Sequence, residues 1–250
     1  LEENGYQAKL YDLKNGYPGL KKTISQFDVV FPVIHGEEGE GGKLHRFLTA
    51  QKKPFVGGDW RGFKKGWHKI PFKNFCYENN IPTSPWKKVK TKEEIIKFGF
   101  PSVLKSSSGG SSREVVILKS PQDLKKPLAK KLLNSNLSLF VERFLEGAEV
   151  TVGILGNQAL PVVEIIPPEG SWFDYKNKYS GATKEIPFAP SLDPKLRKEV
   201  QTIALKIHQS LNLGHFSRID FIVSNKEICV LEVNTIPGLT PESLLPKAAS

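Results

Sequence analysis

Two apolar runs near the end of the sequence each carry a pair of polar residues at alternate positions, Ser217-Arg218-Ile219-Asp220 and Leu231-Glu232-Val233-Asn234. Few folds satisfy both. Side chains alternate faces along a strand, so Arg218 and Asp220 share one face of the first run and Glu232 and Asn234 share one face of the second. The turn-like Ser224-Asn225-Lys226 between them predicts a hairpin that brings the two faces together. Burying two carboxylates costs several kcal/mol each, roughly, unless a cation or several donors compensate them. All the candidate ligands are oxygens with no Cys or His beside them, which favours Mg²⁺ over Zn²⁺ and leaves substrate phosphates to complete the coordination shell. The alternative is a pair of edge strands with solvated acids.

At 250 residues the chain has room for two or three compact α/β units. No apolar run approaches the length of a membrane span and no secretory signal precedes the first residues, so a cytoplasmic location and no membrane partner are expected. Cys76 and Cys229 lie far apart without ligand spacing, which implies neither a disulfide framework nor a zinc site. The net charge of +10 is spread in doublets such as Lys64-Lys65 and Lys125-Lys126 rather than in one stripe. It can concentrate anionic substrates such as a nucleotide. With no recognition helix, stacking platform or zinc module, no nucleic-acid partner is expected.

The N-terminal Leu1-Glu2-Glu3-Asn4-Gly5-Tyr6 reads as the last turn of a helix with its Gly stop, and the other end breaks off where a helix begins, so the chain is expected to be trimmed. Phe27 to Ile34 is a continuous apolar run fit for a buried parallel strand, followed by the Gly-rich 35–42 and a helical stretch to about Gln51. A second helix is predicted from about Trp60 to Asn79, with Pro82-Thr83-Ser84-Pro85 as a link. Thr91 with Glu94 and Ser120 with Asp123 make capping-box patterns that predict helices over 92–98 and 121–134. Strands over 102–105, 114–119 and 137–144 would make a small mixed sheet with helices on it. Strands at 150–155 and 159–166, a long irregular stretch, and a helix capped by Asp193-Pro194 lead into the opening hairpin.

The stretch 105–113, Lys105-Ser106-Ser107-Ser108-Gly109-Gly110-Ser111-Ser112-Arg113, lies between two predicted strands. Its glycines let backbone N–H groups converge on an anion, and Lys105 can meet phosphate charge; a flexible hairpin tip is the other reading. Glu142-Arg143-Phe144-Leu145 followed by Glu149 forms an acidic hinge that can offer backbone groups to a purine edge and a carboxylate to ribose, or can be a charged linker. Pro167 to Pro190, with Trp172, Phe173, Tyr175, Lys178 and Tyr179, has the length and aromatic content of an ordered lid.

This order of parts resembles the ATP-grasp fold, and His35-Gly36, Tyr175-x-x-Lys178-Tyr179 and the run Asn234-Thr235-Ile236-Pro237-Gly238-Leu239-Thr240-Pro241-Glu242-Ser243 resemble the D-alanine:D-alanine ligase family over essentially the whole chain. The resemblance implies an α/β (mixed α+β) architecture, an ATP-grasp fold preceded by a partial Rossmann-like N-terminal α/β domain. The parts would be 1–68, with its start missing, 69–149 as central subdomain and 150–250 as C-terminal subdomain. It implies ATP-dependent joining of two D-alanines through a D-alanyl phosphate for peptidoglycan precursors. The cofactors implied are ATP and two Mg²⁺ (or Mn²⁺) ions, and the assembly a homodimer.

On the same resemblance, Lys69 and Lys105 would hold the nucleotide phosphates, Glu142, Phe144 and Leu145 the adenine, and Glu149 the ribose. Asp220, Glu232 and Asn234 would bind the metal ions. Lys178 would reach the transferred phosphate, Arg218 and the Gly238 backbone would stabilise the tetrahedral oxyanion, and Ser111 with Tyr179 would tie the Gly/Ser loop to the lid. His35 would lie near the first D-alanine, and Ser243 and Leu244 would hold the second. A Tyr at 179 is similar to ligases that take D-alanine in the second subsite.

The sequence departs from the family at Gly41, where an acid is usual, and at Arg46 and Glu114, where Gly is usual. On the same resemblance, the opening strand and loop whose Glu grips the first amine are expected to be missing. Those departures leave two alternatives, another ATP-grasp carboxylate-amine ligase of the D-Ala-D-Ser or D-Ala-D-Lac type, and a nucleotide-binding relative without catalysis.

Overall fold

A computed structural model of the chain describes residues 2–110, 114–168, 183–224 and 227–250. Two antiparallel sheets organise it. The smaller has the order β1 (Trp86–Val89), β4 (Leu139–Arg143), β2 (Ser102–Ser106), β3 (Val115–Leu118), and the larger the order β7 (Lys184–Pro187), β6 (Gln158–Ile166), β5 (Ala148–Leu155), β8 (Phe216–Val223), β9 (Ile228–Asn234). The helices are α1 (Gly16–Ile24), α2 (Lys43–Ala50), α3 (Trp60–Trp67), α4 (Lys69–Glu78), α5 (Lys92–Phe98), α6 (Pro127–Leu133), α7 (Pro194–Ser210) and α8 (Leu244–Ala249).

The larger sheet shows why its strands carry the polar pairs. Along β5 and β8 the residues Val150, Val152, Ile154, Ile219, Phe221 and Val223 are buried in one cluster, together with Phe63 of α3, Phe72 and Phe75 of α4, and Val200, Ala204 and Ile207 of α7. The alternate residues, Glu149, Thr151, Arg218 and Asp220, therefore face the other way. The smaller sheet buries Val89, Leu104, Leu118 and Val141 against Ile95 of α5 and Leu132 of α6. In the central strand β5 of the larger sheet, Gly153 makes room for α8: a Cβ there would stand 2.6 Å from a methyl of Leu245.

The predicted caps hold. Thr91 and Glu94 bond reciprocally at the start of α5, and the Asp193 carboxylate accepts from Leu196 N at the start of α7. Proline breaks two of the long helices predicted from the sequence. The stretch 60–79 splits at His68 into α3 and α4, because Pro71 has no N–H for the carbonyl of Trp67 and its ring crowds that carbonyl. The stretch 121–134 splits at Lys126, held extended by the following Pro127, so a short 3₁₀ turn (Pro121–Lys125) precedes α6.

Three further expectations are corrected. The smaller sheet is wholly antiparallel, not mixed. Strand β7 lies within the stretch expected to be irregular and β1 where no element was assigned, each short and paired along one edge only. Residues 27–34 are not a buried parallel strand: they make one parallel bridge, Val30 with Phe55, and Val29, Phe31 and Val33 are exposed. Val30 and Ile34 pack between α1 and α2 with Leu20, Ile24, Leu44 and Leu48, so the segment is covered on one side.

Candidate functional site

The polar face of the β8–β9 hairpin is assembled as the alternation predicts. Arg218 pairs with Asn234 and Asp220 with Glu232 across the ladder, and a bulge after Asp220 lets Leu231 be accommodated without turning Glu232 away from its neighbours. Arg218 donates from Nε and Nη2 to the two oxygens of Asp220, each at 2.9 Å, and the Thr151 hydroxyl donates to Asp220 Oδ1 at 2.6 Å. Burial opposes the Arg218 charge, but Asp220, with help from Glu232 and Glu40, raises its pKa above the ordinary value. Asn234 Oδ1 is buried with no hydrogen-bond partner.

Opposite this face stands a second cluster. Glu142 of β4 is 2% exposed and takes the Lys105 ammonium on Oε1 at 2.6 Å and the Lys73 ammonium on Oε2 at 2.5 Å, with the Ser84 hydroxyl also donating to Oε2 at 2.6 Å. Burial alone would raise the Glu142 pKa; the two ammoniums overrule it and hold the carboxyl at about 2. Burial likewise disfavours charge on Lys105, yet Glu142 raises its pKa, with smaller contributions from Glu232 and Glu149. Lys69, one turn before Lys73 on α4, reaches across to Glu232 at 3.1 Å and donates to the Gly109 carbonyl at 3.3 Å. The start of α4 is tied to the Gly/Ser loop, Lys69 N to Ser107 O at 2.7 Å and Ile70 N to Ser107 Oγ at 3.3 Å.

Between the two walls lies a cavity of about 470 Å³. One side is lined by Lys105, Glu142, Phe144 and Leu145, the other by Glu149, Ile165, Asp220, Ile222 and Glu232, with Lys69 and Gly109 at the loop end. Its charged end and apolar walls suit a ligand with anionic groups at one end and a flat apolar body at the other.

The loop after His35 reaches the site through Glu40, a residue the sequence reading passed over. Glu40 is 9% exposed, accepts from Gly36 N at 2.7 Å, and lies 3.9 Å from His35. Burial raises its pKa, against the pull of Gly36 N–H and His35, while Glu232 and Lys69 act on it from the other side. Thr235 at the end of β9 donates to the Glu40 carbonyl at 3.1 Å, which joins this loop to the hairpin.

Gly238 and Ser243 adjoin: a Cβ on Gly238 would stand 2.5 Å from the Ser243 hydroxyl, which also contacts Thr240 Oγ1 at 3.0 Å. Leu244 is buried against Val163 and Ile165, so its side chain is committed to packing and only its backbone is left for a ligand. Ser111, Lys178 and Tyr179, with Trp172, Phe173 and Tyr175, lie outside the described residues.

The three departures have local explanations. A side chain at Gly41 would start 2.4 Å from the Glu37 carbonyl, so glycine fits the turn as built. Glu114 closes over the positive-φ Gly109, where a Cβ would meet its carboxylate at 2.6 Å. The Arg46 guanidinium lies 5.3 Å from the Trp60 ring centroid, with Arg61 at 4.9 Å from the same centroid.

The hairpin residues fit a hard divalent cation. Asp220, Glu232 and Asn234 supply oxygens only, on one face, and the orphaned Asn234 Oδ1 has its lone pairs to offer. Among the described residues no group of three carboxylate, imidazole or thiol ligands gathers. A cation here would therefore draw on the amide oxygen and on ligand oxygens. Also among the described residues, no helix is long and apolar enough to cross a membrane.

Comparison with known proteins gives concordant results. A family model for the D-ala D-ala ligase C-terminus matches residues 66–250. The chain is 38% identical over 253 residues to the D-alanine:D-alanine ligase of Aquifex aeolicus, covering 100% of this chain and 85% of that protein. Against the ligase of Desulfotalea psychrophila it is 34% identical over 262 residues, covering 100% of this chain and 81% of that one. The crystal structure of the Bacillus anthracis D-alanine:D-alanine ligase complexed with ATP superposes with a TM-score of 0.78 at 26% identity, covering 93% of this chain and 76% of that chain.

Proposed function

The chain belongs to the D-alanine:D-alanine ligase family, with the ATP-grasp fold and ATP-dependent ligation of two D-alanines for peptidoglycan synthesis as its activity, and we propose that the cleft between its two sheets carries out that reaction. One observation carries the reading: a metal-fit oxygen face on β8 and β9 looks across a nucleotide-sized cavity at a wall of lysines.

In this reading the adenine lies against Phe144 and Leu145, and Glu149 accepts from the ribose hydroxyls. Lys69 and Lys105 meet the phosphates. The Glu142 side chain is already taken by Lys73, Lys105 and Ser84, so any contact with adenine comes from its backbone. Asp220, Glu232 and Asn234 would hold Mg²⁺ or Mn²⁺, which when bound neutralises phosphate charge.

A carboxylate oxygen of the first D-alanine attacks the γ-phosphorus and the bond to ADP breaks, giving an acyl phosphate. The amine of the second D-alanine then attacks the acyl carbon, inorganic phosphate leaves with the electron pair of the C–O bond, and the amine gives up a proton. Arg218 keeps N–H donors beyond the two that Asp220 takes, and with Gly238 N–H it stabilises the oxyanion between these steps. His35, oriented beside Glu40, lies by the first D-alanine, and Ser243 holds the carboxylate of the second. Lys178 and Tyr179 belong to the same reading as phosphate contact and lid, with Ser111 as the tie to the loop. A cytoplasmic homodimer completes it, on the family resemblance.

Incubation with ATP, Mg²⁺ and D-alanine is expected to yield phosphate and dipeptide in equal amounts, with D-serine and D-lactate as poor second substrates. Phosphate release that D-alanine does not stimulate would sink the proposal. Glu232→Gln is expected to abolish Mg·ATP binding, measured by calorimetry.

A further inference from the structure

Lys73 is a cation that the reaction as described does not use. It is 1% exposed and does not line the cavity; its ammonium lies behind the wall, on Glu142 Oε2 at 2.5 Å, Thr83 Oγ1 at 2.6 Å and Ser84 Oγ at 3.0 Å. A buried lysine needs a counter-ion, but Glu142 already has one in Lys105. The cluster thus holds two ammoniums on one carboxylate and carries a net charge of +1. Only one of its cations, Lys105, reaches the cavity.

That surplus has a consequence for an anionic ligand. A lone Glu142–Lys105 pair in this buried wall would be neutral, and its field in the cavity would largely cancel. Glu149 and Glu232 also act on Lys105 and would leave the wall acidic there. We infer that Lys73 is a positioning residue for ATP: by taking one oxygen of Glu142 it lets Lys105 present an uncancelled positive charge to the nucleotide phosphates. The inference rests on reading Lys105 as a phosphate ligand. Thr83 and Ser84 hold Lys73 without altering this balance, since both are neutral, and Thr83 in turn donates to the Val230 carbonyl at 3.1 Å.

The test is a charge cycle of wild type, Lys73→Gln, Glu142→Gln and the double variant. Mg·ATP affinity is measured by calorimetry without D-alanine, and the KM for ATP and kcat in steady state, with folding followed by circular dichroism. Lys73→Gln keeps a donor toward Ser84 and Glu142 while losing the charge; its Kd for ATP is expected to rise about tenfold, with kcat within about threefold of wild type. The double variant returns the cluster to +1, carried by Lys105 alone, and its Kd is expected to fall back to within about threefold of wild type.

If Lys73 merely glues α4 to β4, the double variant, having lost both partners, binds no better than the single. That result, or an unchanged single variant, overturns the inference. Where Lys73→Gln does not fold, Glu142→Gln decides: losing the carboxylate must leave ATP affinity equal or tighter, and a loss of about tenfold overturns it. A wild type that binds no ATP would remove the nucleotide reading itself, whereas a flat cycle on a wild type that does bind removes only the role of Lys73.

Discussion

Two charged clusters flank the cavity: Arg218, Asp220, Glu232 and Asn234 come from two adjoining strands, whereas Lys73, Ser84, Lys105 and Glu142 come from α4, the link before β1, β2 and β4. Both walls bury charge, but they do so for different ends. The Glu142 cluster is closed: both carboxylate oxygens are taken, and of its two cations only Lys105 reaches the cavity. The hairpin face is open, with Glu232 about one-third exposed and Asn234 Oδ1 lacking a partner. A closed cluster fixes the geometry and sign of a wall. An open one exchanges its internal partners for a ligand.

The largest expected effect separates the two walls by rate. Arg218→Met should lower kcat by about 10²- to 10³-fold with little change in ATP affinity, because its remaining N–H donors act on charge that develops during the reaction. A variant that lost ATP binding instead, read by calorimetry, would make Arg218 part of a closed cluster and break the distinction.

Acid unfolding should sharpen the other side. The Glu142 carboxyl is held at about 2, below its ordinary 4.5, so its contribution is fully present above about pH 4.5 and is lost as pH falls toward 2. The loss should be on the order of 3 kcal/mol, and Glu142→Gln should lack that part of the acid transition in urea titrations at successive pH.

Ser84→Ala removes one neutral donor from the same carboxylate and should cost about 2 kcal/mol in urea unfolding, since the bond is buried and charge-assisted. The smallest effect belongs to Arg143 and Glu227, which meet at 2.5 and 2.7 Å between the two sheets but lie nearly half exposed. Arg143→Ala should change stability by less than about 1 kcal/mol. A larger loss would mean that the outer surface helps hold the walls apart.

The hairpin wall was legible in the sequence because its four residues are spaced two apart within contiguous apolar strands, and a period of two fixes a shared face before any tertiary contact forms. The caps of α5 and α7 were legible for the same reason: their bonds close within three residues. Lys73 gave only one signal, its position four after Lys69, which puts both on one face of α4. Nothing local says that one reaches Glu232 and the other Glu142. Glu40 was hidden among its acidic neighbours Glu37 and Glu38, and what singles it out is burial and the Thr235 contact from 195 residues away.

By itself, then, the amino-acid order determined the alternation that makes β5, β8 and β9 two-faced, the family-specific run from Asn234 to Ser243, and the oxygen-only chemistry of the hairpin. Those follow from backbone geometry and side-chain type. Only the tertiary structure decided that Phe27–Ile34 is covered on one side, that Leu244 packs inward, and that Glu142 is a shared counter-ion. Each depends on which distant surface arrives beside it: burial and ion pairing are properties of neighbours in space, and the pairing of Lys73 and Lys105 on one carboxylate exists only once α4, β2 and β4 have packed together.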